Sequence, residues 1–221
     1  MELRAAAWIS GDAELTAAYD RGDDVHVLTA AAINGIAPEV VTKEQRVAAK
    51  AINFGSIYGM GPMGLVRNAW KQFGIDLTES EAKAALDRFF ARYTGLRRWM
   101  REHADECKRT RKVTIGAGRV VENAWEGLHG LRYTQMCNLP VQGICADCMM
   151  RAIAYAHVEL GGVLVAMVHD ELLAEVPEAA AATVAEKLKG CLHRAFVETF
   201  PGAPTRGLVD AHVGAHWAEV H

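Results

Sequence analysis

Residues 45–61 read QRVAAKAINFGSIYGMG, and within them Arg46, Lys50, Phe54 and Tyr58 recur at every fourth position. On an α-helix a step of four residues overshoots one turn by about 40°, so these side chains form one slowly drifting row, roughly 18 Å long. The row starts with two cations and ends with two aromatic rings. A nucleoside triphosphate divides the same way, with a polyanion at one end and a flat base at the other. Arg grips phosphate oxygens through paired hydrogen bonds, and Lys acts as a point charge. The plainer alternative is a surface helix whose Phe and Tyr turn into the core.

Further along, VLVAMV (Val163 to Val168) and LLAEV (Leu172 to Val176) flank His169, Asp170 and Glu171. Two short apolar runs around a tight polar break predict a β-hairpin. Adjacent acids at its tip suit a hard divalent cation, which takes carboxylate and phosphate oxygens. An ordinary solvated turn is the alternative. A phosphate-gripping helix together with a metal-binding hairpin points to nucleotidyl transfer.

These residues resemble motifs of the family A DNA polymerases, the bacterial DNA polymerase I type. AAKAINFGSIYGMG, with Arg46, is similar to the family's O-helix motif, and Val168-His169-Asp170-Glu171 to its third polymerase motif. NLPVQGICAD (Asn138 to Asp147) resembles the segment joining fingers to palm. MELRAAAWISGD (Met1 to Asp12) resembles the tail of the first motif. The resemblance implies an α+β fold, a right-hand polymerase fragment. Its mostly helical fingers would occupy residues 1–137, and a palm with a small antiparallel sheet residues 138–221. The implied activity is template-directed transfer of a nucleotide from a dNTP to a primer 3′-hydroxyl, catalysed by two Mg²⁺ ions.

Residue by residue, the resemblance makes Arg46, Lys50 and His26 contacts to the incoming triphosphate, with Lys50 also catalytic. Phe54 packs against the incoming sugar and base, and Tyr58 stacks at the template position until the fingers close. Glu2 is the steric gate against a ribose 2′-hydroxyl. Asn138 and Gln142 contact the primer-template minor groove, where acceptors look alike for every base pair. His169 contacts the primer end, and Asp170 and Glu171 are the catalytic carboxylates that hold metal. The implied partners are primer-template DNA and dNTPs, with an upstream polymerase segment or a second copy of the chain as further candidates.

The departures carry expectations too. In the family a D-Y-S-Q-like stretch directly precedes the position of Glu2, and its Asp is the other essential metal ligand; here Met1 stands one residue before Glu2. The family's E-R pair ahead of Asn138 is replaced by Tyr133-Thr134, a mark of a divergent branch. The expected chain is therefore a piece of a longer polymerase, a reading frame started internally, or one half of a split enzyme, inactive or nearly so by itself. The alternative class is a non-catalytic remnant that binds nucleotide or primer-template, or self-associates. A phage-type RNA polymerase is a weaker third reading, and Glu2 at the sugar gate counts against it.

Composition fits an ordinary globular chain, with 51% hydrophobic and 23% charged residues among 221 and a net charge of −3. That charge excludes a surface that binds polyanions everywhere, so a nucleic-acid footprint must be local. The run from Arg97 to Lys112, holding Arg97, Arg98, Arg101, Lys108, Arg109, Arg111 and Lys112, is the candidate; a solvated helix face is the alternative. Neither a leader nor a membrane span is readable, so the expected location is cytoplasmic, with no membrane partner. Cys145 and Cys148 are expected as buried thiols one helical turn apart, not as a zinc pair.

Local signals predict mostly helix. Asp12, Asp24, Thr42 and Thr78 look like N-caps, and Gly22 and Asn34-Gly35 like stops. The helix opened by Thr42 should end near Gly59 to Pro62. The helix from Thr78 should break at Thr94-Gly95 and resume to Arg111. Val113 to Val121 should form a small hairpin, and Leu131 to Leu160 a helix bent near Pro140. A helix from Glu178 to Phe200 and a strand at Leu208 to Val213 complete the expectation.

Overall fold

A computed structural model describes residues 1–122 and 131–219. Three short helices open the chain: α1 (Glu2–Ser10), α2 (Ala13–Arg21) and α3 (Val25–Asn34). Then follow α4 (Lys43–Ile57), α5 (Pro62–Phe73), α6 (Glu79–Arg92) and α7 (Thr94–Thr110). A hairpin of β1 (Val113–Ile115) and β2 (Arg119–Val121) leads toward the long α8 (Tyr133–Leu160), which runs through Pro140 as one element. A second hairpin, β3 (Leu164–Val168) with β4 (Glu171–Ala174), precedes α9 (Glu178–Thr199). Both pairs are antiparallel, and the architecture is α+β, mostly helical with small sheets.

One apolar core joins α1 to α9 without a linker. α1 lies at its centre because its face is small: Ala5, Ala6 and Ala7 are at most 1% exposed, so neighbouring backbones approach closely. Asp12 locks two helices at once. Its Oδ1 accepts from the Leu15 amide at 2.9 Å, capping α2, and its Oδ2 accepts from the Leu96 amide at 3.0 Å in the first turn of α7. Gly95 makes this approach possible, since a Cβ there would fall 2.9 Å from the Asp12 Cα. The expected caps at Asp24, Thr42 and Thr78 all accept backbone hydrogen bonds.

Three details differ from expectation. Helix α5 was not foreseen, because Gly61-Pro62 looks like a terminator. Proline's missing N–H and fixed φ instead suit the first helical position, and Leu65 and Ala69 bury the inner face. Glu171 is not in the turn; it begins β4, opposite Val168. Leu208 to Val213 forms no strand, because no neighbouring strand pairs with it, and a lone apolar run has nothing to hydrogen-bond against.

Candidate active site

Helix α4 is fixed at both its start and its inner face. The Thr42 hydroxyl accepts from the Gln45 amide at 3.2 Å, while the Gln45 side chain accepts from the Thr42 amide at 2.9 Å, closing a capping box. Ala49, Ala51, Ile52 and Ile57 are buried, which leaves Arg46 and Lys50 on the exposed flank. Arg46 Nε donates to Asp24 Oδ2 at 2.6 Å and so ties α4 to the start of α3. Partial burial raises the Asp24 carboxyl, but the Arg46 hydrogen bond and the Val27 and His26 amides outweigh it and hold it below its usual range.

His26, two residues beyond that cap, turns toward the same flank. Its Nδ1 lies 2.7 Å from the Asn53 amide nitrogen, and its ring centroid 6.1 Å from that of Phe54. Burial pulls the imidazole down to about 4; Asp24 opposes this, and the charges of Arg46 and Lys50 add to it. His26 is thus a neutral acceptor at pH 7. Phe54 and Tyr58 follow with ring centroids 6.1 Å apart, and Tyr58 sits on the C-cap of α4. The four-residue row therefore survives folding, flanked by His26.

From Tyr58 the site turns toward the hairpin. The Tyr58 hydroxyl donates to Glu2 Oε2, with Gln142 of α8 near the same phenol. Burial and the Glu2 carboxylate both push this phenol far up, so it stays protonated. One residue before Glu2, the Met1 nitrogen lies 2.9 Å from Asp170 Oδ2. Contacts thus run from Phe54 through Tyr58 to Glu2, and the terminal ammonium of the neighbouring Met1 pairs with Asp170 at the hairpin tip. In the two-residue turn His169 takes φ 54°, the positive value that a tight hairpin asks of its first central residue. Asn138 stands one turn before Gln142 on α8, and its side-chain oxygen is buried without a partner.

For a hard cation the donor chemistry at the tip is suitable, since Asp170 and Glu171 offer carboxylate oxygens. The donor number is not: no cluster of three His, Cys, Asp or Glu side chains is placed for a metal among the described residues. Cys145 and Cys148 are buried free thiols within the core. Two members of the site were not foreseen as such. Asp24 was read only as a helix cap, and Asn53 carried no signal beyond lying one residue before Phe54.

The DNA polymerase family A model matches residues 1–219. The chain is 34% identical to DNA polymerase I of Pseudomonas aeruginosa over 231 aligned residues, covering 100% of this chain and 24% of that protein. It is 32% identical to DNA polymerase I of Aquifex aeolicus, covering 99% of this chain and 38% of that protein. A solved structure, the POL domain of Pol1 from M. smegmatis in complex with DNA primer-template and dNTP, superposes with a TM-score of 0.74 at 27% identity. That match covers 88% of this chain and 35% of the other. The chain spans about a quarter to two fifths of the curated relatives named here.

Proposed function

This chain belongs to DNA polymerase family A, and we propose that it forms the nucleotide-selecting part of a template-directed DNA polymerase. The observation that supports this best is the row of Arg46, Lys50, Phe54 and Tyr58 on one flank of α4, with His26 against Phe54 and the Tyr58 hydroxyl on Glu2. Arg46, Lys50 and His26 hold the triphosphate, and Phe54 sets the sugar and base. Tyr58 occupies the template position with its hydroxyl anchored on Glu2, whose side chain crowds a ribose 2′-hydroxyl. Asn138, Gln142 and His169 contact the primer-template. Residues 1–137 act as fingers and residues 138–221 as palm, with α8 crossing that junction.

Asp170 and Glu171 would hold Mg²⁺. Bound there, such ions would acidify the primer 3′-hydroxyl and stabilise the leaving pyrophosphate. Two neighbouring carboxylates on one hairpin cannot clamp both ions, so a further carboxylate is required beside Asp170. The five cysteines are all free thiols, consistent with a reducing, cytoplasmic setting.

Primer extension tests the proposal. The 221 residues alone should extend a primed template no faster than background. Adding the preceding polymerase segment of a relative, in cis or as a separate polypeptide, should restore extension, and Asp170→Ala should return it to background. Robust extension by the chain alone, or activity that survives Asp170→Ala, would refute this assignment.

Self-association is a second role with its own observation. Among the described residues β3 has an unpaired edge, and its Val165 and Met167 are 60% and 48% exposed. Light scattering should show dimers or larger species at micromolar concentration, and a monomer throughout that range removes this role.

A further inference from the structure

The row on α4 has a buried member. At about 100° per residue, Asn53 falls within about 20° of Arg46, two turns further along the same flank. Unlike its neighbours in the row it is 0% exposed. Its side-chain oxygen has no partner, and among the described residues its amide nitrogen bonds only to His26 Nδ1, at 2.7 Å. A buried amide oxygen left unpaired is a cost that an apolar side chain at this place would avoid, so the one bond that Asn53 does make calls for a reason.

His26 is held at both ends. Its backbone amide donates to Asp24 Oδ1 at 2.8 Å, and Oδ2 of the same carboxylate accepts from Arg46 Nε at 2.6 Å. Asn53 takes the ring. The other ring nitrogen, Nε2, bonds to no described residue and is not sealed from solvent. Burial pulls the imidazole down to about 4; Asp24 opposes this, and the charges of Arg46, Lys50 and the Met1 ammonium add to it. At neutral pH the ring therefore carries one N–H. The nitrogen that bears it can donate to an anion, and the nitrogen that lacks it presents a lone pair that repels one.

We propose that Asn53 is a positioning residue that holds His26 as the neutral Nε2–H tautomer, so that the ring offers a phosphate oxygen an uncharged donor beside Arg46 and Lys50. The Asn53 N–H directed at Nδ1 leaves Nε2 as the only place for the proton. A charged imidazole would be a third cation against Arg46 and Lys50, whereas a neutral donor adds a directed hydrogen bond without that repulsion. A neutral ring free of Asn53 would populate both tautomers, and one of them turns a lone pair toward the phosphate. That the anion is the triphosphate of a dNTP rests on the polymerase reading above; the Asn53–His26 pair does not.

Nitrogen-15 NMR of the histidine rings in the 221-residue chain tests the tautomer, with His26→Ala identifying the His26 signals. At pH 7 the wild-type ring should carry its proton on Nε2 alone. Asn53→Ala should move the two ring nitrogens toward each other as the second tautomer becomes populated, with circular dichroism unchanged. In a calorimetric titration with Mg²⁺–dNTP, His26→Ala should weaken binding about tenfold or more, and Asn53→Ala about three- to tenfold. On the His26→Ala background, Asn53→Ala should cost less than about twofold more, because a residue that acts through His26 then has nothing left to position. A proton on Nδ1 of the wild-type ring would overturn the proposal. So would ring signals unmoved by Asn53→Ala, or an Asn53→Ala loss undiminished on the His26→Ala background. An Nε2–H ring that Asn53→Ala disturbs, in a chain that binds no dNTP, would uphold the Asn53–His26 pair and strike the triphosphate reading, so the two failures are distinguishable.

Discussion

The α4 helix and the β3–β4 hairpin meet at one site but are held in opposite ways. α4 has a capping box, a buried inner face and an ion pair to α3, all from residues 24–57 of this chain. The hairpin is two strands with open edges, a bulge at Val165 and a His at positive φ in its turn. Asp170 at its tip pairs with the terminal ammonium of Met1 at 2.9 Å. On the proposed assignment the triphosphate grip rests on the α4 surface and the chemistry on the hairpin acids. The two proposed roles are therefore separable by substitution.

Stability should divide along the same line. Ile57 is fully buried at the end of α4, and Ile57→Ala should cost about 2–5 kcal/mol in a denaturant melt. Val165, 60% exposed on β3, should cost no more than about 0.5 kcal/mol on the same substitution. Equal losses would show that the hairpin is packed as tightly as the helix, and the contrast would fall.

A smaller effect reports the α4 surface alone. Burial, with the Arg46 and Lys50 charges adding to it, pulls the folded His26 down to about 4, below its ordinary 6.5. Between those values the unfolded chain binds more protons than the folded one. The His26 contribution to stability is thus whole above about pH 6.5 and is lost as pH falls toward 4. Asp24, whose carboxyl is depressed, adds a loss of the same sign at lower pH. Melting temperature should therefore decline through this window, and His26→Gln should flatten the decline. A decline identical in wild type and variant would place the titrating group elsewhere.

How much of this was readable from the sequence follows from the range of the forces involved. The helix starts at Asp12, Asp24, Thr42 and Thr78 were legible because a cap is a contact two or three residues away. The row Arg46–Tyr58 was legible because its period is that of the helix itself. Pro62 misled because the same ring that ends a helix also begins one, and only the burial of Leu65 and Ala69 shows which. Leu208 to Val213 misled because a strand is defined by a partner that no local pattern reveals. At the site the residue types were legible but the wiring was not. Asp24 to Arg46, Asn53 to His26 and Tyr58 to Glu2 close over 22, 27 and 56 positions. The pairing of Lys108 and Arg109 on α7 was legible, because Asp105 and Glu106 stand three residues before them.

The separation of grip from chemistry is tested most directly by calorimetric titration of a Mg²⁺–dNTP into the 221-residue chain and two variants. Lys50→Ala removes a charge-assisted phosphate contact worth about 1.5–3 kcal/mol and should weaken binding by roughly 10- to 150-fold. Asp170→Ala should change it by no more than about threefold, under 1 kcal/mol, because the hairpin acid serves the reaction and not the grip. Equal binding by wild type and Lys50→Ala, or a loss on Asp170→Ala as large as that on Lys50→Ala, would contradict the account.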